Sequence, residues 1–492
     1  MLRAAFLLAG LLALAPLSAQ PLAERIEKLI STPAAAGSTF GIQVVQLSTG
    51  QVLYARNAQS ALTPASNTKL FTTALALTRL GPGYRFETKV LAPRAPDAQG
   101  RISGDLILLG GGDPTLSARR LPYQKGPVEG DPLAPLAELA DQLAAAGLRT
   151  VSGDLIGDDT RWPFEPFPGG WSVGDMPWDY GAAVSALCLN DNAQSISVRP
   201  GKAAGDPAII SLSPPVEYYT LRNVFRTTPG AASRLSVRRK PASRILEIAG
   251  TAAPKAGALG DLLGIDDPAA FIAEAFAQLL RDRGIAIQGR VYARHRATGM
   301  PSSEPAGIVL ARRQSPPIVE TLRVIDKISQ NLHAEMALRE VGFVARGEGT
   351  AEAAQKEMTA WLTSLGVRKE EFDLEDGSGL SRRTLVTPNA VTTLLTAMHN
   401  GEHRETYRSL LPIGGEDGSL SSRFKGAPQA NLIRAKTGSV AHVNALSGYA
   451  GDDPSSRLAF SIIVNGSTAS SSAIRSIIDK IAVAILEEGT RQ

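Results

Sequence analysis

The sequence predicts an α/β fold: a mixed sheet built from both chain ends, helices on both of its faces, and a large, mostly β insertion in between. Three observations predict it. A strand-like hairpin (40–47 and 51–55) stands near the start. Three strand-like runs and a helix (431–438, 445–450, 458–465, 473–488) stand at the end. From about residue 90 the texture changes to short apolar runs punctuated by Gly and Pro. The 492 residues exceed the roughly 100–200 of one domain, so more than one folded unit is expected.

The elements follow in order. Met1-Leu2-Arg3 and the apolar run 4–15 lead to Leu17-Ser18-Ala19, the pattern of a signal peptide cleaved before Gln20. The run is shorter than the roughly 20 residues that span a bilayer, and no later segment reaches that length. The mature chain is therefore expected to be exported, to the periplasm or cell-wall space, with no transmembrane segment after cleavage. Losing residues 1–19 removes Arg3 and takes the formal charge from +4 to +3. An amphipathic helix is predicted over 22–30, and Ser48-Thr49-Gly50 turns the hairpin. Thr63 and Pro64 read as N-cap and first helical residue before the apolar helix 70–80, which puts Ser66 in its first turn.

An internal repeat marks the middle of the chain. Ile102-Ser103-Gly104-Asp105-Leu106 recurs 49 residues later as Val151-Ser152-Gly153-Asp154-Leu155, and a related pattern covers 284–291 after a helix at 269–280. Helical texture returns over 318–342, 351–365 and 391–398. The expected division is a signal peptide 1–19, a discontinuous catalytic domain 20–91 plus 263–492, and an insertion 92–262 divisible into two subdomains.

Chemistry enters with three short motifs. Ser66 and Lys69 stand i, i+3 on one helix face, where an amine can activate a hydroxyl if burial or a second cation lowers its pKa. The helix N-terminus adds positive potential for developing negative charge. Ser329-Gln330-Asn331 places a hydroxyl and an amide two residues apart, suited to proton relay and amide contact. Lys436-Thr437-Gly438 ends a strand with fixed charge, a carboxylate-binding hydroxyl and a residue that admits close approach. Singly, each motif is more often a cap, a polar loop or a strand end; the three in this order are specific.

Together they resemble the serine active-site set of penicillin-binding proteins and class A β-lactamases. The surrounding runs 106–116, 153–159, 376–382, 411–418 and 446–450 narrow the likeness to D-alanyl-D-alanine carboxypeptidase/endopeptidases, the low-molecular-mass class C penicillin-binding proteins, over nearly the whole mature chain. The 260 positions from Lys69 to Ser329 are similar to that family's large insertion. The resemblance implies the α+β sandwich of the penicillin-binding/β-lactamase type. It implies Ser66 as acylated nucleophile, Lys69 taking its proton, and Ser329, Asn331 and Lys436 around the leaving group, with either lysine open as the base. Thr437, Gly438 and Ser439 would meet the substrate's carboxylate and carbonyl. Arg382 and Asp158 or Asp159 are the counterparts expected at the free end of the stem peptide. Peptidoglycan stem peptides and cross-bridges are the implied partners, and β-lactam antibiotics the covalent inhibitors, with no cofactor or metal.

Other classes are poorly supported. Cations and anions are mixed along the chain (51 against 47), without the basic stripes of a nucleic-acid binder. No Gly-x-Ser-x-Gly elbow, Walker A loop or dinucleotide fingerprint occurs. His399 and His403 lack a companion carboxylate motif, and His333 reads as a packed histidine. The lone Cys188, in an apolar stretch, reads as a core residue. Two rivals stay open: a β-lactamase or esterase using the same Ser–Lys pair, which rapid penicillin turnover would favour, and a wall-binding protein with a vestigial site, against which the intact motif residues speak.

Overall fold

The computed structural model describes residues 21–230, 232–240, 243–454 and 457–490. The expected signal segment lies outside these residues. Both chain ends build one five-stranded sheet, in the order Val52–Arg56, Thr39–Gln46, Leu458–Asn465, Val443–Ala450, Ile433–Val440. Helices cover both faces, as expected. The sheet is antiparallel at every junction rather than mixed; the hairpin and the C-terminal strands pair so because short turns join them, and Thr39–Gln46 meets Leu458–Asn465 antiparallel across the two chain ends.

Alternation along the strands sorts two cores. Phe460, Ile462 and Val464 face the N-terminal helix Leu22–Ile30 and the C-terminal helix Ser471–Gly489. Ala459 and Ile463 face the other way, toward helices that include Thr68–Leu80, Ile318–Ile328 and Pro388–Asn400. This period of two is the pleat at work. Each fully buried Ile, Leu or Phe contributes about 1.5–3 kcal/mol relative to exposure, so these two layers fix the sheet that carries the site.

The predicted helix over 318–342 is broken in two. Ile318–Ile328 ends at Ser329, whose φ is +64°, and Asn331–Arg346 starts afresh with the Gln330 side chain accepting the Leu332 N–H at 2.8 Å. Apolar periodicity runs through the break unchanged, which is why it was invisible in the sequence.

The middle of the chain holds a second body with its own core. Its main sheet runs Val291–Arg296, Leu155–Pro163, Leu106–Leu109, Glu87–Ala92, Ile308–Gln314; the first three are parallel, and the last two join antiparallel. The internal repeat is the origin of this arrangement. Leu106, Leu155 and Val291 are in register, and the preceding short strands Arg101–Ile102, Thr150–Val151 and Ala286–Ile287 stack in parallel beside them. Asp105 accepts the Asp154 N–H at 2.8 Å and Asp154 accepts the Arg290 N–H at 2.7 Å, one rung per repeat. Because strands on both sides of the expected 92–262 boundaries belong to this sheet, we propose that the inserted unit runs from 87 to 314. Its helices Ala134–Ala145 and Pro268–Asp282 pack into the same core.

Repeat stacking explains one glycine. A Cβ on Gly153 would sit 2.5 Å from the Gly104 carbonyl carbon, a backbone atom that cannot move aside. Gly153→Ala is expected to cost about 1–3 kcal/mol, read as a lower urea midpoint with unchanged slope. An unchanged midpoint would show that the rungs tolerate a wider spacing.

Candidate active site

The helix carrying Ser66 does not begin as predicted. A 3-10 turn, Ala65–Asn67, precedes Thr68–Leu80, and Thr63 is not its cap. Instead the Thr63 backbone is clasped by Asn465, whose side chain accepts the Thr63 N–H at 2.9 Å and donates to its carbonyl at 3.0 Å. Ala65 is buried with φ +49°, a conformation that costs an L-residue on the order of 1 kcal/mol. The turn is held from below by Asn67, which donates to Ser447 at 2.7 Å, and Ser447 in turn donates to Ser461 at 3.0 Å. The neighbouring strand approaches so closely that a Cβ on Gly438 would lie 2.5 Å from the Pro64 carbonyl oxygen. A residue without a Cβ is thus required here by the approach of the nucleophile turn itself.

Lys69 is completely buried and has three oxygen neighbours: Ser66 Oγ at 3.0 Å, Asn331 Oδ1 at 2.7 Å and the Ser378 carbonyl at 2.6 Å. Burial, then the charge of Lys436, push its pKa well below the ordinary lysine value. A neutral amine has two N–H bonds and one lone pair. Asn331 Oδ1 and the Ser378 carbonyl can only accept, so they take the two N–H bonds, and the lone pair is left to accept the Ser66 hydroxyl proton.

A second lysine closes the other side. Lys436 is also completely buried; its Nζ donates to Ser329 Oγ at 2.8 Å and to the Thr437 carbonyl at 2.9 Å. Its pKa is lowered by burial and supported by Asp326. The left-handed conformation of Ser329 is what turns this hydroxyl out of the helix line. Thr437 donates to Ser419 Oγ at 2.8 Å, and Ser439 is exposed beyond it on the same strand. Asn331 is completed by the inserted unit: its Nδ2 donates to the Tyr180 carbonyl at 2.8 Å. The six residues thus form two hydrogen-bonded sets, Ser66–Lys69–Asn331 and Ser329–Lys436–Thr437, close enough for the charge of Lys436 to act on Lys69.

Asp158 and Asp159 depart from expectation. Asp158 is buried in the inserted sheet, ion-paired to Arg294 and accepting from Thr160 N–H at 2.8 Å and Thr160 Oγ1 at 2.6 Å. Asp159 accepts from Ser185 at 2.9 Å and pairs with His295, also at 2.9 Å. Their carboxylates are occupied inside the insertion rather than offered to a ligand. Another acid of the insertion does reach the site's rim. Asp175 Oδ1 lies 3.4 Å from the hydroxyl of Tyr180, and its other oxygen is buried without a partner. Arg382 is exposed and acts electrostatically on that same Tyr180 hydroxyl.

Several residues were missed from sequence. Asp326 is completely buried, hydrogen-bonded by Thr73 at 3.0 Å, with its second oxygen unpartnered; burial raises its pKa, against the pull of Lys436 and Lys69. It lies three residues before Ser329, in the last turn of Ile318–Ile328, and that i, i+3 spacing is its signal in the sequence. Glu335 accepts the Gly377 and Ser378 N–H groups and is pushed up to about 7 by burial and Asp376. Asp376 in turn ties down Trp171, Ser378, Gly379, Ser381 and Thr384. Cys188 is buried and its thiol pushed up by burial, which leaves it inert. His333 is packed against Asp191 at 2.9 Å, as its reading predicted.

The chain as a whole is similar to known proteins. Residues 22–486 match the family described as D-Ala-D-Ala carboxypeptidase 3 (S13). A D-alanyl-D-alanine carboxypeptidase of Actinomadura sp. (strain R39) is 35% identical over 483 residues, covering 96% of this chain and 85% of the relative. The crystal structure of penicillin binding protein 4 from Haemophilus influenzae superposes with a TM-score of 0.80 at 23% identity, over 93% of this chain and 97% of that one. The same protein complexed with a β-lactam gives 0.74, over 92% and 97%. At these identities the two structures establish the fold.

Asp326 is the carboxylate that supports the protonated form of Lys436 and, after Asp376 and Glu335, also that of Lys69. Asp326→Asn is expected to lower the titration midpoints of Lys69 and Lys436 further, since loss of a nearby anion disfavours the protonated amine. NMR of lysine-labelled protein reads this directly; midpoints that rise or stay put would remove Asp326 from the role.

Proposed function

The chain belongs to the D-Ala-D-Ala carboxypeptidase 3 (S13) family, and from that premise we propose that Ser66 is the nucleophile of a serine D-Ala-D-Ala carboxypeptidase acting on peptidoglycan stem peptides. The hydrogen bond between Ser66 and a buried, deprotonation-prone Lys69 carries the reading. As Ser66 Oγ attacks the carbonyl carbon between the two D-alanines, its proton passes to Lys69 Nζ. The backbone N–H groups of Ser66 and Ser439 are the proposed oxyanion donors. Collapse of the tetrahedral species breaks the C–N bond. Lys436, through Ser329, is placed to deliver a proton to the departing D-Ala nitrogen. The proton held on Lys69 passes to Lys436, which restores both amines; water then attacks the acyl-Ser66 ester, Lys69 takes its proton and returns it to Ser66 Oγ as the ester C–O bond breaks.

Lys436 and the Thr437 hydroxyl fit the terminal carboxylate of the substrate. At the far end, Arg382 and Asp175, flanking Tyr180, fit opposite charges on the stem peptide's free end better than Asp158 or Asp159 do. A β-lactam presents the same carbonyl and carboxylate, so covalent acylation of Ser66 by penicillin is part of the proposal. The Haemophilus influenzae protein solved with a β-lactam is consistent with it. Export to the periplasm or cell-wall space is likewise proposed, from the N-terminal signal pattern. No helix among the described residues is long and apolar enough to cross a membrane. The same attack applies to a D-alanyl cross-bridge, and mass spectrometry of digested muropeptides separates the two products.

Ser66→Ala is expected to abolish the labelled-penicillin adduct and to lower kcat/KM on D-Ala-D-Ala peptides roughly 10⁴-fold or more. An intact protein that takes no label under mild conditions would sink the assignment. kcat/KM is also expected to fall as pH drops through the depressed midpoint of Lys69, since the protonated amine has no lone pair to offer. A rate that rises on acidification contradicts Lys69 as base. Arg382→Ala should weaken peptide turnover more than penicillin acylation; equal loss in both assays excludes it from peptide recognition.

A further inference from the structure

A groove of about 920 Å³ lies between the N-terminal helix Leu22–Ile30, the loop 421–427 and the C-terminal helix Ser471–Gly489. Ser472, Arg475, Asp479, Val483 and Glu487 line it at intervals of three and four, so one whole face of the C-terminal helix forms its wall, over roughly 22 Å. Its floor is apolar: Leu29, Phe424, Ala427, Val483 and Ala484.

Charge is concentrated there. Arg25, Lys28, Arg423, Lys425, Arg475 and Lys480 face two acids, Asp479 and Glu487, a balance of +4 that equals the formal charge of the whole chain. Both acids are already taken, Glu487 by Arg25 and Asp479 by Arg423. Lys28, Lys425, Arg475 and Lys480 are exposed and have no ion-pair partner among the described residues. Four cations without ion-pair partners among the described residues thus line one groove together with apolar residues, where exposed charge is screened over roughly 8 Å in physiological salt. One lining residue fixes where the groove leads. Ser419 is also the acceptor of the Thr437 hydroxyl, so the groove opens next to the pocket proposed for the substrate carboxylate.

We infer that this groove seats an anionic peptidoglycan strand, whose free stem-peptide carboxylates meet Lys28, Lys425, Arg475 and Lys480 while its apolar portions lie on Phe424 and Val483. The inference rests on the carboxypeptidase reading of the Ser66 site. It assigns a polymer-binding surface outside the catalytic group, so that the enzyme engages wall material more tightly than isolated peptides. The concave form favours a strand over a lipid surface, because a flat bilayer cannot follow the floor between two helices.

The test uses Lys425→Glu/Lys480→Glu and the milder Lys425→Gln/Lys480→Gln in the full chain, with thermal melts to verify folding. Three measurements are compared: co-sedimentation with insoluble peptidoglycan, binding to phosphatidylglycerol vesicles, and release of D-Ala from a short soluble D-Ala-D-Ala peptide. Charge reversal is expected to weaken sedimentation with peptidoglycan by about tenfold or more, neutralisation to weaken it less, and added salt to weaken the wild type. Short-peptide turnover should stay within about twofold in all of them, since neither residue touches the Ser66 group. Folded variants that bind peptidoglycan like the wild type would overturn the inference, as would wild-type binding to vesicles but not to peptidoglycan. Absence of short-peptide turnover in the wild type would count against the carboxypeptidase reading itself, and sedimentation would still decide the groove.

Discussion

A buried amine is the interaction on which this structure turns. Lys69 has no contact with solvent, so its charged form lacks hydration, and the nearest cation, Lys436, disfavours that form further. Three oxygens, from three separate stretches of chain, meet it: Ser66, Asn331 and the Ser378 carbonyl. Two of them can only accept, which orients the lone pair toward the third. The supporting carboxylates follow from the same constraint. Glu335 and Asp376 do not touch Lys69; they hold the 376–381 turn whose carbonyl does. Asp326 supplies negative potential from within the core without quenching either lysine in an ion pair.

That arrangement needs a rigid joint between the two bodies of the protein, and the helix Asn331–Arg346 provides it. Asn331 at its start bridges Lys69 and the Tyr180 carbonyl of the insertion. Further along, His333 meets Asp191, Arg339 meets Glu165, and Glu340 meets Arg161. The first turn of this helix is therefore an active-site wall, and the following turns anchor the inserted unit. Breaking the helix line at Ser329 allows both tasks, since a continuous helix would keep the Ser329 hydroxyl on the helix surface and away from Lys436.

The insertion is built from repeats that explain its stability without disulfides. Stacked Gly-Asp rungs align three parallel strands, and a separate apolar core lies beneath them. Its charged pairs, Asp158 with Arg294 and Asp159 with His295, stitch neighbouring strands. The match to the D-Ala-D-Ala carboxypeptidase 3 (S13) family, residues 22–486, spans both the main sheet and the insertion. The cationic groove between the terminal helices adds a surface that no catalytic motif marks.

The sequence by itself determined the fold class, the hairpin and C-terminal strands of the main sheet, and six members of the site group: Ser66, Lys69, Ser329, Asn331, Lys436 and Thr437. These were legible because local spacing and apolar period report local geometry, and because three motifs in fixed order are rarely accidental. Tertiary structure decided what spacing cannot encode. Asp326, Glu335, Asp376, Ser419 and Asp175 come from residues that look unremarkable in their own segments and matter through what packs against them. The same holds for Asp158 and Asp159, adjacent acids whose inward pairing depends on strands 136 positions away. Even the reach we propose for the insertion, 87–314, rests on strands Glu87–Ala92 and Ile308–Gln314 pairing into its sheet, a long-range contact that spacing does not encode.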